Sequence, residues 1–195
     1  MQNIKQKYLF IDGENVRKSL SKILDNKEDF LNFAVKEIFA GDNLSFDKIF
    51  WYGAKISEDK NNLIKSKELL DFQRKLFNVL RKQSIEIDLS GRIQNIGSVY
   101  KEKGVDVALA VDLVSLAFES KDVDVYLWSS DSDLIPAIKK IVSKGVRTTY
   151  VALDGVITKS ILFNTDSVVI LKQENLIKIF KTKNTGGTSQ AGAGM

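Results

Sequence analysis

The fold is decided by the stretch Tyr8-Leu-Phe-Ile-Asp-Gly-Glu-Asn15, in which an apolar run leads into a carboxylate, a glycine and an amide. An uninterrupted apolar run of this length is typical of a strand buried inside a parallel sheet. Gly13 allows the backbone to turn sharply and lets a ligand come close to it. We therefore expect Asp12 to lie just past the carboxyl end of a strand, where open α/β sheets bind their ligands.

A second stretch has the same design and carries two more acids. Val123 to Trp128 predicts a strand, and Ser129-Ser-Asp-Ser-Asp133 follows it, ahead of a predicted helix over residues 133–143. Pro136 is compatible with this helix because proline is tolerated in the first turn. Close carboxylates repel each other unless a divalent ion neutralises them. One of the two is expected to cap the helix, with Asp133 as the candidate, which leaves Asp131 for chemistry.

The rest of the chain alternates short β-rich runs with helical periodicity. Strands are predicted over residues 8–12, 48–52, 123–128, 146–152 and 167–171, with two shorter extended pieces at 84–89 and 92–98. Helices are predicted over residues 16–24, 30–39, 59–82, 105–118, 133–143, 156–163 and 173–180. This alternation predicts an α/β fold with a mostly parallel sheet covered by helices on both faces.

A third acidic position, Asp106, begins a predicted helix that is apolar on nearly every side. If buried, its carboxylate needs a cation, a donor or water; the alternative is a first-turn acid favoured by the helix dipole. Asp112 lies about 120° further round the same helix. It is therefore expected to support the structure rather than to share an ion with Asp106.

The composition limits the chemistry that the chain can perform. Its 195 residues, 44% of them hydrophobic, suit one α/β domain, which we place at residues 1–181 ahead of a small, polar and disordered tail at 182–195. Cysteine and histidine are absent, which excludes disulfides, thiolate or imidazole zinc sites, and nucleophiles activated by histidine. No apolar run approaches the roughly 18 residues of a membrane span, so we expect a cytoplasmic protein without a membrane partner.

Positive charge is concentrated in the middle of the chain. The net charge is +4, and residues 55–103 alone hold 11 Lys and Arg against 7 Asp and Glu. The pattern has two interpretations: a solvated helix surface, or a track for the phosphates of a nucleic acid. Trp51 is expected in the core, whereas Tyr52 and Tyr100 are candidates for stacking on bases.

Three of these stretches, in this order, resemble the NYN domain of the LabA-like group within the PIN-like nuclease superfamily. They are Phe10-Ile-Asp-Gly-Glu-Asn-Val16, Lys103-Gly-Val-Asp-Val-Ala-Leu-Ala-Val-Asp112 and Ser129-Ser-Asp-Ser-Asp-Leu134. The resemblance implies a PIN-like three-layer α/β/α sandwich and hydrolysis of phosphodiester bonds by a nuclease that depends on Mg²⁺ or Mn²⁺. Its expected substrate is single-stranded RNA, with DNA as the alternative, and the sequence is compatible with a homo-oligomer.

The resemblance also implies roles for individual residues. The catalytic acids would be Asp12, Asp106, Asp131 and Asp133, and the first three would be metal ligands. The predicted substrate-binding residues are Asn15, Ser129, Ser130, Ser132 and Lys103, and Asp112 and Ser160 would support the site. Asn15 is expected either to cap the first helix or to turn its amide toward a phosphate or a metal-bound water.

Two other functions fit the same residues. A non-catalytic RNA-binding or regulatory module is favoured by Ser130 and Ser132, which stand where the family usually has glycine. A metal-dependent phosphatase would use carboxylates at strand ends as well. That chemistry usually needs a second aspartate two residues after the first, and this chain has Glu14 there.

Overall fold

Strand β1 (Gln6–Asp12) lies at the centre of a seven-stranded sheet in the computed structural model. The structure describes residues 5–58, 62–96, 99–120 and 122–182, and for residues 94–96, 99–101 and 182 it describes the backbone only. The other strands are β2 (Lys48–Lys55), β3 (Glu86–Ile96), β4 (Val99–Lys103), β5 (Val123–Trp128), β6 (Thr148–Leu153) and β7 (Ser167–Leu171). Their order across the sheet is β4-β3-β2-β1-β5-β6-β7. All neighbours are parallel except β3 and β4, which form an antiparallel pair.

The strands that follow β1 in sequence are added first on one side of it (β2, β3, β4) and then on the other (β5, β6, β7), so the strand order reverses at β1. β1 pairs with β2 on one side and with β5 on the other, with Asp12 aligned to Tyr52 and Ile11 aligned to Trp128. The carboxyl ends of β1 and β5 therefore meet at one edge of the sheet. Such a switch point opens a crevice beyond the strand ends, which is the usual ligand site of α/β sheets.

Helices cover both faces of this sheet. They are α1 (Gly13–Leu20), α2 (Val35–Ile38), α3 (Leu63–Arg81), α4 (Val105–Glu119), α5 (Ile135–Ser143), α6 (Lys159–Leu162) and α7 (Gln173–Thr182). Along β1, Leu9 and Ile11 face the layer that contains α1, α3 and α7, while Tyr8 and Phe10 face the layer of α4 and α5. The predicted three-layer α/β/α sandwich with a mostly parallel sheet is confirmed.

Several elements match their predictions closely. The strands predicted at 123–128 and 167–171 have the expected bounds, and the helix predicted at 105–118 extends by one residue, to Glu119. Pro136 lies in the first turn of α5, as expected. Helix α4 nevertheless leaves Val107, Val111 and Phe118 exposed, so its all-round apolar character does not reflect burial on every side. No helix within the described residues has the length and apolar character that a membrane span requires.

The continuous helix predicted over residues 30–39 is wrong. The chain instead forms a 3₁₀ turn at Lys27–Asn32 and a single helical turn, α2, separated by extended backbone at Phe33 and Ala34. The side chain of Gln83 satisfies the backbone groups at this break, since it accepts from the Val35 N–H at 2.9 Å and donates to the Phe33 carbonyl at 2.7 Å. A distant glutamine thus replaces hydrogen bonds that the helix would have made.

The extended pieces predicted at 84–89 and 92–98 are, within the described residues, one strand, β3, and the pairing strand β4 was not foreseen. Gly91, which stands between the two predicted pieces, lies inside β3, and a Cβ there would overlap the Val105 side chain of α4. Close packing, rather than a turn, requires the glycine. The residues between β3 and β4, and all but the first of the tail predicted at 182–195, lie outside the described residues.

Two predicted helix bounds also need correction. Helix α1 begins at Gly13 rather than at residue 16, and the helix predicted at 156–163 is a single turn, α6. The early start of α1 has a local cause, because the Asp12 side chain caps it directly.

Candidate active site

Asp12 lies at the end of β1 and is only 6% exposed. One carboxylate oxygen, Oδ1, accepts from the Asn15 N–H at 3.1 Å and so caps α1. The other, Oδ2, accepts from the Ser129 hydroxyl at 2.9 Å. Each carboxylate oxygen retains a further lone pair, so the side chain is held in place and can still bind a cation.

Ser129 connects the carboxyl ends of the two central strands. Its hydroxyl donates to Asp12 and accepts from the Asp131 N–H at 3.1 Å, and the residue is 1% exposed. Direct contact between Ser129 and a substrate stays a prediction. In this structure its hydroxyl positions Asp12 and Asp131 relative to each other.

The cap of the turn after β5 is Asp131, not Asp133. The Asp131 Oδ1 atom accepts from the Asp133 N–H at 2.9 Å and begins the 3₁₀ turn Ser132–Leu134 that leads into α5. One of the two carboxylates does cap here, as expected, but it is Asp131 rather than the candidate Asp133, because the first turn is 3₁₀ and starts one residue after Asp131. Asp133 itself is exposed, and among the described residues its carboxylate has no hydrogen-bond partner.

Asn15 occupies the third position of α1 and is not its cap, which corrects one of the two expectations for it. Its Oδ1 atom accepts from both the N–H and the hydroxyl of Ser130, at 3.0 and 2.8 Å. The Ser130 carbonyl accepts in turn from the Thr158 hydroxyl at 2.9 Å. These bonds fix the loop after β5 against α1 and α6.

Acidic groups crowd together around Asp12. Burial raises the pKa of Asp12, as do the negative charges of Asp131 and Glu14, while the hydrogen bonds from Asn15 and Ser129 oppose the rise. Glu14 is itself paired, with the Arg17 guanidinium at 2.7 and 2.8 Å and with the Lys18 ammonium at 3.5 Å. The edge of the sheet therefore holds more negative charge than its neighbours neutralise, which favours a bound cation.

Glu102 is part of this group and was missed from the sequence. It lies half-buried on β4, and burial, followed by the charges of Glu14 and Asp12, raises its pKa to about 7. Lys18 and Arg17 act in the opposite direction. The only signal would have been its position beside Lys103 at the start of the second matched motif, and that signal needed β4 to be recognised as a strand.

The donor set suits a hard cation held by few protein ligands. Asp12 and Asp131 supply carboxylate oxygens, the type that Mg²⁺ and Mn²⁺ prefer. In the described part of the chain, no three acidic side chains come close enough together to hold one ion, so Asp12, Asp106 and Asp131 do not form a complete cage. Mg²⁺ typically uses one or two carboxylates together with waters and substrate phosphates. The residues fit that mode, and the three-ligand set stays a prediction.

Asp106 lies in the first turn of α4, on the face of the sheet toward which the alternation along β1 turns Asp12. It is half-buried, and its carboxylate makes no hydrogen bond or ion pair with any described residue. Its oxygens are therefore free to accept from a ligand.

The remaining predicted residues divide into exposed and structural ones. Ser132, Lys103 and Ser160 are exposed, and Ser160 is the second residue of α6. Asp112 accepts from the Tyr52 hydroxyl at 2.7 Å, which agrees with a supporting role.

The aromatic residues near the strand ends belong to the core. Tyr52 is 1% exposed, so its proposed stacking on bases is wrong. Trp51 is buried as expected, with its ring 5.5 Å from that of Phe33, while Tyr100 is outside the described side chains.

Replacing Ser129 by alanine is expected to lower the free energy of unfolding by about 1–2 kcal/mol. The change leaves the buried Asp12 carboxylate with one donor fewer and the Asp131 N–H without its acceptor. Denaturant unfolding at pH 7 measures the effect, and Ser132→Ala, an exposed serine of the same loop, is the matched control. Equal midpoints for the two variants would contradict the bridging role of Ser129.

Glu102 makes stability depend on pH. Its pKa is about 7 in the folded chain against an ordinary 4.5, so between these values the folded state holds a proton that the unfolded state has released. The free energy of unfolding is therefore expected to fall as pH rises through this window. We expect a fall of about 1–2 kcal/mol, less than the full pKa shift would give, because Glu102 is partly exposed and water screens its charge. Glu102→Gln should flatten the profile, and Glu119→Gln, at an exposed site, should not. Parallel profiles for wild type and Glu102→Gln would refute this.

Comparison with known proteins supports this view of the fold. The NYN domain family model matches residues 7–172, and that family belongs to the PIN-like nuclease superfamily. A crystal structure of a protein of unknown function from Vibrio parahaemolyticus is similar with a TM-score of 0.62 and 19% identity, over 88% of this chain and 96% of that one. Curated proteins gave no match. Since the family model covers most of the sequence, the chain belongs to the NYN domain family.

Proposed function

We propose that this chain is a metal-dependent ribonuclease that hydrolyses the phosphodiester bonds of single-stranded RNA. The observation that carries the proposal is the buried Ser129 hydroxyl at the sheet's switch point, which donates to the Asp12 carboxylate and accepts from the backbone N–H of Asp131, in a chain of the NYN family. A metal-dependent nuclease needs carboxylates that lie near each other beside a crevice that the substrate can enter. The two central strands, β1 and β5, place Asp12 and Asp131 at the same edge of the sheet, where such a crevice forms.

Within this proposal Asp12 and Asp131 would hold Mg²⁺ or Mn²⁺, and Asp106 would join them from the first turn of α4. A bound divalent ion supplies an acidified water and neutralises charge on the phosphate. Asp12 is kept in one orientation by its bonds to Asn15 and Ser129, so it loses little freedom when it binds a ligand. The absence of histidine removes imidazole acid-base chemistry at the 2′-hydroxyl.

Lys103 would contribute to substrate binding from the end of β4. It is exposed, and it follows Glu102 directly, so the residue lies at the same edge of the sheet as that acid. A lysine there can contact a phosphate without neutralising the buried carboxylates. Binding through such contacts should weaken as salt concentration rises.

A non-catalytic RNA-binding module is the second candidate, and one contact favours it. The Ser130 hydroxyl donates to Asn15 Oδ1, so the amide oxygen is used inside the protein instead of facing a ligand. A glycine at this position would keep the backbone N–H bond to the same oxygen and lose only the second bond, from the hydroxyl. The module would hold RNA at the same edge without cutting it.

The test is cleavage of end-labelled single-stranded RNA by the purified chain with Mg²⁺, with Mn²⁺ or with EDTA, and with DNA of the same sequence in parallel. The proposal expects products with metal and none with EDTA, and RNA cut faster than DNA. RNA that is bound without cleavage under every condition would favour the second candidate. Cleavage that persists in EDTA would overturn the proposed metal dependence.

A further inference from the structure

A cleft of about 910 Å³ opens on the face of the sheet opposite to α4, between α1, α3 and the carboxyl end of β2. Its volume lies within the range of small-molecule sites in proteins. The floor is apolar and largely aromatic, formed by Leu24, Phe30, Trp51, Phe72, Leu76 and Phe77. Phe72 is only half-buried, so part of its ring remains free to contact a ligand.

The cleft reaches the edge of the sheet at which the candidate active site lies. Gly13 and Glu14, which follow Asp12 directly, line its wall, and so does Glu102. The charge of Glu102 interacts with those of both Glu14 and Asp12. A ligand that enters the cleft therefore has one end beside the acidic edge of the sheet.

Trp51 forms part of the floor at its closest approach to α1. A Cβ at Gly13 would overlap the indole ring, and a Cβ at Gly53 would lie 3.5 Å from the indole Nε1 atom. The Gly13 backbone therefore packs against the ring edge, neither glycine adds a side chain over it, and 3% of the Trp51 surface remains exposed. Among the described residues the indole N–H has no acceptor, so it can donate to a ligand.

The charges around the cleft select against a phosphate inside it. Its lining holds five acidic residues, Glu14, Asp25, Glu58, Glu68 and Glu102, against three basic ones, Arg17, Lys18 and Lys27. Glu14 already pairs with Arg17 and Lys18, so little positive charge is left to bind an anion. A flat, uncharged group with hydrogen-bonding edges fits an aromatic floor and an open N–H better.

We propose that this cleft binds the nucleobase of a nucleotide whose phosphate lies at the acidic edge beside Asp12. The placement of the phosphate rests on the proposed ribonuclease function, whereas binding of the base rests on the cleft alone. The base lies against Phe72 and accepts from the Trp51 N–H, while the sugar leads out past Glu14. The cleft thereby selects strands with an unpaired base next to the scissile bond, because a paired base cannot enter it.

The test follows the indole N–H signals of the two tryptophans, Trp51 and Trp128, by NMR in EDTA. Adenosine, uridine and ribose 5-phosphate are the probes, and Trp51→Phe assigns the signals. We expect adenosine or uridine to shift the Trp51 signal in a saturable manner and ribose 5-phosphate to leave it unchanged. An equal response to ribose 5-phosphate, or no response to either nucleoside, would overturn the inference.

A variant that narrows the cleft completes the test. Gly53→Val adds a side chain beside the indole nitrogen without backbone strain, and should weaken nucleoside binding by about tenfold or more. Gly41→Val is the matched control, because a Cβ there meets nothing within 4 Å. Nucleoside affinity that is unchanged in a folded Gly53→Val protein would contradict the proposal.

The nucleoside-binding and RNA-cleavage results together distinguish a failure of the base-binding cleft from a failure of the proposed ribonuclease function. If nucleosides shift the Trp51 signal but RNA is never cut, the cleft binds bases and the proposed ribonuclease function fails. If RNA is cut with metal while nucleosides leave Trp51 unaffected, the function stands and the cleft has no part in binding the base.

Discussion

Asp12→Asn is expected to lower metal-dependent RNA cleavage by about 10²–10³-fold while the protein stays at least as stable as wild type at neutral pH. Asparagine keeps the shape of the side chain and an oxygen for the cap of α1, but it removes the charge that would hold a cation. Burial raises the pKa of Asp12, so ionising this group in the folded chain costs stability, and the neutral amide avoids that cost.

Cleavage rates and denaturant midpoints at pH 7.5 measure the two halves of this prediction. Asp42→Asn is the matched control, since Asp42 is exposed in a 3₁₀ turn ahead of β2, away from the acidic edge. A loss of both activity and stability in Asp12→Asn would show that the carboxylate is needed for folding. Full activity in a folded variant would remove Asp12 from the site.

Gly91→Val is expected to lower the free energy of unfolding by about 3 kcal/mol, because β3 passes too close to α4 for any side chain. A Cβ at Gly91 would overlap the Val105 side chain and come within 3.2 Å of the Gly53 carbonyl oxygen. Either α4 or the strand must move. Asp106 follows Val105 directly, so a displaced first turn should also reduce cleavage.

The double variant Gly91→Val with Val105→Ala isolates this contact. Removing the Val105 methyls should restore part of the lost stability, with a coupling of about 1–3 kcal/mol in a double-mutant cycle followed by denaturant unfolding. Val105→Ala alone should be destabilising, because Val105 is buried. Strictly additive effects on the free energy of unfolding would mean that a side chain at position 91 does not clash with that of Val105.

The main features of the fold could be predicted because each depends on short-range pattern. An apolar run ending in an acid predicted β1 with Asp12, and β5 with Asp131, and the alternation of strands and helices predicted the sandwich. The meeting of Asp12 and Asp131 followed from geometry alone, since parallel strands that lie side by side end at the same edge.

What could not be predicted depends on contacts between residues far apart in sequence. Gln83 replaces the missing hydrogen bonds of the break at Phe33, some 50 residues away. Ser129 joins Asp12 across 117 positions, and its hydroxyl could as well have faced a ligand. Glu102 comes near Asp12 only because β4 folds back along β3, a pairing that no local pattern indicated.

The central claim is that Asp12 and Asp131 form a metal-dependent nuclease site, and the most direct test compares wild type with Asp131→Asn on labelled single-stranded RNA in Mg²⁺, Mn²⁺ or EDTA. Asparagine keeps an oxygen that can accept from the Asp133 N–H, so the turn after β5 should survive and circular dichroism should match that of wild type. We predict cleavage by wild type with metal, none in EDTA, and a loss of about 10²–10³-fold in the variant. A folded Asp131→Asn protein that cuts RNA at the wild-type rate would contradict the account.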